Sequence, residues 1–158
     1  MHYKAVAQAA KGFPIMFYNL PACARNALSA GFIVDLAQKV ENLRGVKDSS
    51  GHFVHMGELL AHAPKGFVVI NGVDNYSYQA LVTGAQGCVA SAANVVPELF
   101  LAIIKNVKKG GTIEDTVGRQ CICNGLVAAV GLGFGFHRRT GMPSRAISAL
   151  AWPTVNSP

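Results

Sequence analysis

Four short apolar runs, each followed by a helix-like stretch, constrain the fold of this chain more than any other feature. The runs cover residues 14–18, 43–47, 67–71 and 87–91. None alternates cleanly between apolar and polar side chains, which is typical of strands buried on both faces of a parallel sheet. A repeat of strand and helix indicates βα units with right-handed crossovers, in either an α/β barrel or an open sheet.

Helix signals fill the intervals between the runs. Ser29 is a predicted N-cap for a helix with Phe32, Ile33 and Leu36 at helical spacing. Further helices are predicted over residues 2–10, 53–63, 76–83, 97–107 and 112–132 and from residue 143 onward. Because no linker or low-complexity segment divides the chain, we expect one domain. Residues 1–110 form its α/β part, and residues 111–158 form a C-terminal helical segment.

Composition supports a packed domain and argues against two classes of partner. The 158 residues are 51% apolar and 14% charged, with a net charge of +6. A basic chain suits nucleic acid or a membrane surface. No nucleic-acid motif accompanies the basic residues after Pro97, so we interpret them as a solvated helix face. Residues 125–136 are apolar, but a membrane helix needs about 20 residues, and we expect neither nucleic acid nor membrane as a partner.

The cysteines and histidines do not have the spacing of a metal site. Four cysteines follow no signal peptide, so we expect reduced thiols in the cytoplasm. Cys121 and Cys123 form a C-x-C with no second pair to complete a zinc site. His55 and His62 are interpreted as surface residues of a helix. The sequence thus predicts no metal and no cofactor.

Polar residues and glycine stand at the carboxyl ends of the predicted strands. They are Tyr18, Lys47, the pair Asn71-Gly72, and Ser91. In both barrels and open α/β sheets, this edge of the sheet is the functional face. We therefore expect these residues to lie together.

Lys47 and Tyr18 are suited to imine chemistry. A desolvated lysine amine can attack a ketone, and the protonated imine then draws electrons from the neighbouring carbon. Each such step moves protons, which a phenol such as Tyr18 can carry. The alternatives are a surface lysine that reaches water and a core tyrosine with its hydroxyl at the rim. Asp48 points to the opposite side of the strand and is not assigned a role.

Four motifs resemble a known family. They are Tyr-Asn-Leu-Pro at 18–21, Gly-Val-Lys-Asp-Ser-Ser-Gly at 45–51, Asn-Gly-Val-Asp at 71–74, and the segment 87–98. Their order and spacing resemble the dihydrodipicolinate synthase / N-acetylneuraminate lyase family over about residues 2–110. The resemblance implies a (β/α)8 TIM barrel with C-terminal helices, usually tetrameric. It also implies a metal-free class I lyase or aldolase that joins pyruvate or another 2-oxo acid to an aldehyde.

The resemblance assigns roles by motif position. Lys47 would be the Schiff-base lysine and Tyr18 the proton-relay tyrosine. Gly72 and Val89 would line the substrate pocket at the ends of the third and fourth strands seen here.

The chain departs from the family pattern near the site. Synthases of the lysine pathway carry a carboxylate-binding arginine five residues after the tyrosine, where this chain has Cys23, and Arg25 lies two residues further on. An aldolase acting on a sugar acid or a hydroxy-oxo acid is therefore as credible as the synthase. Sialic-acid lyases usually have a Phe-Thr pair after the lysine, and Asp48 argues against that branch.

The larger departure is length. The family's first four strands are absent, including the Gly-Thr-Thr loop that holds the pyruvate carboxylate, so we expect the last four βα units of a barrel. Ile15, Val46, Val69 and Val89 would then face an interior that lacks its opposite wall. We expect a truncated chain with weak or no activity alone, completed by a homo-oligomer or by a separate N-terminal half. There are two alternatives: a non-catalytic fragment or scaffold that retains the motifs, and 4-hydroxy-tetrahydrodipicolinate synthase proper when an N-terminal half completes the barrel.

Overall fold

The structure, a computed structural model, describes residues 2–111 together with residues 116, 119 and 120. The strands are β1 (Ile15–Asn19), β2 (Leu43–Asp48), β3 (Val68–Asn71) and β4 (Gly87–Cys88). The helices are α1 (His2–Ala9), α2 (Pro21–Ala24), α3 (Ala30–Lys39), α4 (Phe53–His62), α5 (Ser77–Thr83) and α6 (Pro97–Lys108). Short 3-10 turns, Asp74–Tyr76 and Ala92–Asn94, follow β3 and β4.

The four strands form one parallel sheet in the order β1-β2-β3-β4. Each strand pairs with the next strand along the chain, so every connection between neighbours is a crossover that carries a helix. The predicted parallel α/β architecture is confirmed. Within the described residues, β1 and β4 are the two edges of the sheet.

Local signals in the sequence explain where several helices begin and end. The Ser29 hydroxyl accepts a hydrogen bond from the Phe32 amide (3.2 Å), which confirms the predicted N-cap of α3. α5 ends at Gly84, whose φ of 118° is in the left-handed region that glycine adopts most readily. α6 begins at Pro97, which has no amide hydrogen to leave unpaired there.

The main hydrophobic core lies between the sheet and its helices. Phe17, Val46 and Val69 are in register across β1, β2 and β3 and are 3%, 0% and 1% exposed. They pack in one cluster with residues of α3 and α4, among them Ile33 and Leu59. Alternation along each strand then directs the neighbouring side chains to the opposite face of the sheet.

This packing corrects one expectation. Val46 and Val69 were predicted to face a barrel interior without an opposite wall, but both are buried against the helices. Ile15 also packs against that helix-facing cluster, whereas Val89 is only half-buried after β4. The expectation failed because strands buried on both faces lack the alternation that would identify the helix-facing side.

A second cluster lies around α6, where Phe100 and Ile103 are buried. The predicted helix over residues 112–132 and the later one fall outside the described residues, except at 116, 119 and 120. The division into residues 1–110 and 111–158 therefore stays a prediction. Within the described part of the chain, no helix is long and apolar enough to span a membrane.

Candidate active site

Tyr18 and Lys47 lie side by side at the carboxyl ends of β1 and β2. They are register partners in the parallel pairing of the two strands. Lys47 Nζ lies 4.2 Å from the centroid of the Tyr18 ring, within the range of a cation–π contact. Both side chains project from the face opposite the helices, where Lys47 is half-buried and Tyr18 is 55% exposed. We call Tyr18 and Lys47 the site pair.

Gly72 lies directly against the Lys47 side chain. A Cβ added at Gly72 would lie 2.7 Å from Lys47 Cε and would also collide with Ser49 Oγ. The Gly72 amide donates to Asp48 O (2.8 Å), which fixes the turn after β3 beside β2. The lysine side chain can therefore lie along this turn only because residue 72 has no side chain.

Val89 and Ser91 are placed differently. Val89 directly follows β4, and its amide donates to Asn71 O (2.8 Å). Ser91 lies beyond the strand, and its amide donates to Asp74 Oδ1 (2.8 Å). Ser91 therefore supports the turn after β4, whereas Gly72 lies in contact with the Lys47 side chain.

A row of polar residues lies one position further along the same strands. Asn19, Asp48 and Asn71 are in register across β1, β2 and β3 and are 2%, 1% and 1% exposed. We call these three residues the buried polar row. They face the helices, which confirms that Asp48 points away from the site pair. Because Asp48 faces the helices, the carboxylate nearest to Lys47 in sequence does not pair with it.

Each member of the buried polar row is hydrogen-bonded, as burial of polar groups requires. Asn19 Nδ2 donates to Asp48 Oδ1 (2.8 Å). Asn71 Nδ2 donates to Val73 O (2.7 Å), and the Val73 amide donates back to Asn71 Oδ1 (3.2 Å). These bonds fix the turn that carries Gly72.

Asp74 ties the end of β3 to the turn after β4. Asp74 is 8% exposed, and its carboxylate accepts from the amides of Ser91 (2.8 Å) and Ala92 (2.7 Å). Hydrogen bonds to an ionised acceptor are the stronger kind, so this carboxylate holds the Ala92–Asn94 turn in place. The sequence analysis quoted Asp74 within a motif but assigned it no role, because both of its partners are backbone amides far along the chain.

His55 is not a surface residue, so its interpretation from sequence is wrong. Its Nε2 lies 2.8 Å from Leu28 O, and because a carbonyl oxygen only accepts, this nitrogen donates. Its Nδ1 lies 3.4 Å from Asp48 Oδ2. His62, the last residue of α4, is exposed as expected. A pattern within α4 could not separate the two, because the partners of His55 belong to other segments.

The segment after β1 carries the two residues that depart from the family pattern. Cys23 is an exposed free cysteine in α2. Arg25 ends that helix with a φ of 51°, a left-handed conformation that residues other than glycine adopt rarely. Its amide donates to Pro21 O (2.8 Å), so the turn of the backbone is held locally.

Within the described part of the chain, the site pair is open to solvent: Tyr18 is 55% exposed and Lys47 is half-buried. A cavity of about 790 Å³ lies at the other end of the sheet, beside the amino ends of β1 and β2, and Lys4, Asn42 and Arg44 line part of it. At the carboxyl end, the amine and the phenol share one accessible face. The described residues thus present an amine that could attack a carbonyl carbon, with a phenol beside it to carry protons.

The fold and the site define a class: four βα units of a (β/α)8 barrel with a lysine and a tyrosine at their carboxyl ends. The model of the dihydrodipicolinate synthetase family matches residues 1–126. The chain belongs to that family, as the four motifs indicated.

Similar proteins agree with this assignment. The chain is 33% identical over 119 residues to a 4-hydroxy-tetrahydrodipicolinate synthase of Campylobacter jejuni, covering 72% of this chain and 39% of the relative. The dihydrodipicolinate synthase structure from Aquifex aeolicus is 25% identical, with a TM-score of 0.68 over 82% of this chain and 42% of that one. A Ruminococcus gnavus sialic acid aldolase is 27% identical, with a TM-score of 0.72 over 78% of this chain and 40% of that one.

These matches also fix how much of a family member the sequence represents. The chain spans about two fifths of the length of the curated relatives it matches. The four-stranded parallel sheet is accordingly a partial barrel.

Proposed function

We propose that Lys47 forms a Schiff base with the keto carbon of pyruvate or another 2-oxo acid, in a metal-free class I lyase or aldolase reaction. The observation that carries the proposal is the position of Lys47 Nζ, 4.2 Å from the Tyr18 ring on the open face of the sheet. The names of the similar proteins, a synthase and an aldolase, support the same class.

The proposed reaction uses the two side chains in turn. The neutral Lys47 amine attacks the keto carbon, water leaves, and a protonated imine remains. Loss of a proton from the neighbouring carbon gives an enamine, which forms a carbon–carbon bond to an aldehyde; cleavage is the reverse. Tyr18 carries the protons between these groups, and Gly72 and Val89 line the pocket. The exposed thiol of Cys23 suits a reducing cytoplasm, where we place the reaction.

The aldehyde partner is proposed only as a class. Cys23 occupies the position of the arginine that grips the second substrate in the lysine-pathway synthases. An aldolase on a sugar acid or a hydroxy-oxo acid and a 4-hydroxy-tetrahydrodipicolinate synthase are both compatible with the site pair. The relatives' names include both kinds of enzyme.

We further propose that the chain alone is weakly active or inactive. Within the described residues, β1 and β4 are open sheet edges, and Tyr18 is 55% exposed. Lys47 is half-buried, and an amine that still reaches water keeps part of its hydration, which weakens it as a nucleophile relative to one in a dry pocket. A separate N-terminal half or a second copy would cover this face and complete the site.

The test is to incubate the chain with pyruvate and borohydride and to map lysine adducts by mass spectrometry. Reduction of the imine leaves an N-carboxyethyl group, which we expect on Lys47 and on no other lysine to a comparable extent. Lys47→Arg should remove it. Equal labelling of Lys39, an exposed lysine on α3, would contradict a special role for Lys47.

The second candidate is a non-catalytic fragment or scaffold that retains the family motifs. The openness of the site pair favours it, since an accessible amine and phenol by themselves supply little catalysis. A folded chain that gives no adduct on Lys47 at any pyruvate concentration would support the scaffold and reject the imine.

A further inference from the structure

We infer that a cycle of three hydrogen bonds and one His55–Asp48 contact behind the site pair holds Lys47 against Tyr18, with His55 and Asp48 as positioning residues. Its consequence for imine formation rests on the proposed function, whereas its consequence for geometry does not.

Four residues form the ring. Asn19 Nδ2 donates to Asp48 Oδ1 (2.8 Å), and the Leu28 amide donates to Asn19 Oδ1 (3.2 Å). His55 Nε2 donates to Leu28 O (2.8 Å). His55 Nδ1 lies 3.4 Å from Asp48 Oδ2, so a side-chain contact rather than a fourth hydrogen bond closes the cycle. We call this cycle the Asp48 ring.

The Asp48 ring joins four segments that are far apart in sequence. Asn19 ends β1, Asp48 ends β2, Leu28 precedes the N-cap of α3, and His55 lies in the first turn of α4. Ser50 supports the carboxylate from outside the ring, since its hydroxyl donates to Asp48 Oδ2 (2.9 Å) and its amide to Oδ1 (3.3 Å). The buried carboxylate is thus oriented from several directions.

The ring acts on the site pair through the register of two strand ends. Asn19 follows Tyr18 in β1, and Asp48 follows Lys47 in β2. Tyr18 is the register partner of Lys47, and Asn19 is the register partner of Asp48. The bond between the Asn19 and Asp48 side chains therefore fixes how far the end of β1 is offset from the end of β2. Beyond it, the Ser49 amide donates to Asn19 O (2.8 Å). Because β1 has no second neighbour among the described residues, its end would open most easily without the ring.

His55 is the residue that tests this role most cleanly. Its side chain is only 13% exposed, but leucine is of similar volume, so His55→Leu opens no large cavity. His55→Leu removes the donor to Leu28 and the contact with Asp48, while His55→Arg restores nitrogen donors for both oxygens. His62→Leu is the matched control, because His62 is an exposed histidine of the same helix, bonded to Glu58 O.

The first readout is independent of any activity. Reductive methylation with ¹³C-formaldehyde gives each lysine an NMR signal, and Lys47→Arg identifies that of Lys47. The Tyr18 ring, 4.2 Å away, should shift this signal upfield, and Tyr18→Leu gives the unshifted reference. We expect His55→Leu to lose most of the shift, and His55→Arg and His62→Leu to keep it. Retention of the full shift in a folded His55→Leu variant would overturn the inference.

The second readout is the trapping of pyruvate by borohydride on the unmethylated chain. Misplacement of the amine should lower the first-order trapping rate at saturating pyruvate by about 10-fold to 100-fold in His55→Leu, with recovery in His55→Arg. If no variant, including the parent chain, forms an adduct, the proposed function fails and the NMR shift alone judges the ring. If the parent forms an adduct and His55→Leu matches its rate, the positioning role is rejected.

Discussion

The buried polar row and the site pair lie one residue apart on the same strands, yet they differ in nearly every physical respect. Asn19 and Asp48 are 2% and 1% exposed and joined at 2.8 Å, with further partners from other segments. Tyr18 is 55% exposed, and its contact with Lys47 is a ring facing an ammonium group at 4.2 Å. Parity along the strand alone separates the two environments.

In the described part of the chain, the helix-facing side of the sheet is fully packed, whereas the opposite side, which carries the site pair, is open. The helix-facing side has its core and its polar network in place. Among the described residues, the opposite side presents Tyr18 and Lys47 without the enclosure that would exclude water from them and orient them. In a partial barrel this is expected, because the helices cover one face of each strand, whereas the other face relies on strands across the barrel.

The largest difference in stability is expected between two truncations on opposite faces of β1, Phe17→Ala and Tyr18→Ala. Phe17 is 3% exposed in the main core, so Phe17→Ala should lower the free energy of unfolding by about 3–5 kcal/mol. Tyr18→Ala, on the exposed face, should cost less than about 1 kcal/mol. Urea denaturation followed by circular dichroism measures both.

Equal costs for the two truncations would break the comparison. A large cost at Tyr18 would mean that the open face is covered in the folded chain. Sedimentation at the same protein concentrations distinguishes coverage by a second copy from coverage within one chain, because only the former depends on concentration.

A smaller effect is expected from filling the space beside Lys47. Gly72→Ala places a methyl group 2.7 Å from Lys47 Cε, so it should cost about 1–3 kcal/mol and displace the amine. Gly57→Ala in α4 is the control, since nothing lies within 4 Å of its added Cβ, and it should stabilise by about 0.5–1 kcal/mol. Borohydride trapping should fall for Gly72→Ala alone; an unchanged rate would show that Lys47 does not need this space.

The smallest effect on stability is expected from an ion pair that lies outside both the buried polar row and the site pair. Lys39 and Asp35 pair on the surface of α3, and both side chains are 55% exposed. Such pairs contribute about 0.3–0.5 kcal/mol at an i, i+4 spacing, so Lys39→Ala should change the unfolding midpoint little. A loss comparable to that of Gly72→Ala would undermine the view that stability resides in the core and the buried polar row.

Much of the scaffold follows from local sequence. The apolar runs predict the four strands, and Ser29, Gly84 and Pro97 mark helix ends because each acts through its own backbone or its nearest turn. The position of Tyr18 and Lys47 at one edge follows from parallel pairing. The family assignment came from four motifs in order, which composition alone would not provide.

The remainder depends on distant partners. The prediction of which residues of β2 and β3 face the helices is wrong. In an apolar run such as the one containing Val69, odd and even positions are both apolar, so the sequence does not show which set faces the helices. His55 was misread because its partners are Leu28 O and Asp48 Oδ2, 27 and 7 residues away. That Gly72 lines the pocket stays a prediction. Its closeness to the Lys47 side chain could not be predicted, because it depends on how two turns meet.

The most direct test separates the oligomers of the protein by size-exclusion chromatography and assays the fraction that contains the monomer. Pyruvate consumption with a panel of short aldehydes is followed beside borohydride trapping on Lys47. The account predicts an adduct on Lys47, slow to form, with no multiple turnover in the monomer fraction. Sustained aldol turnover by the monomer would contradict it, because the open face of the described sheet would then be a complete active site.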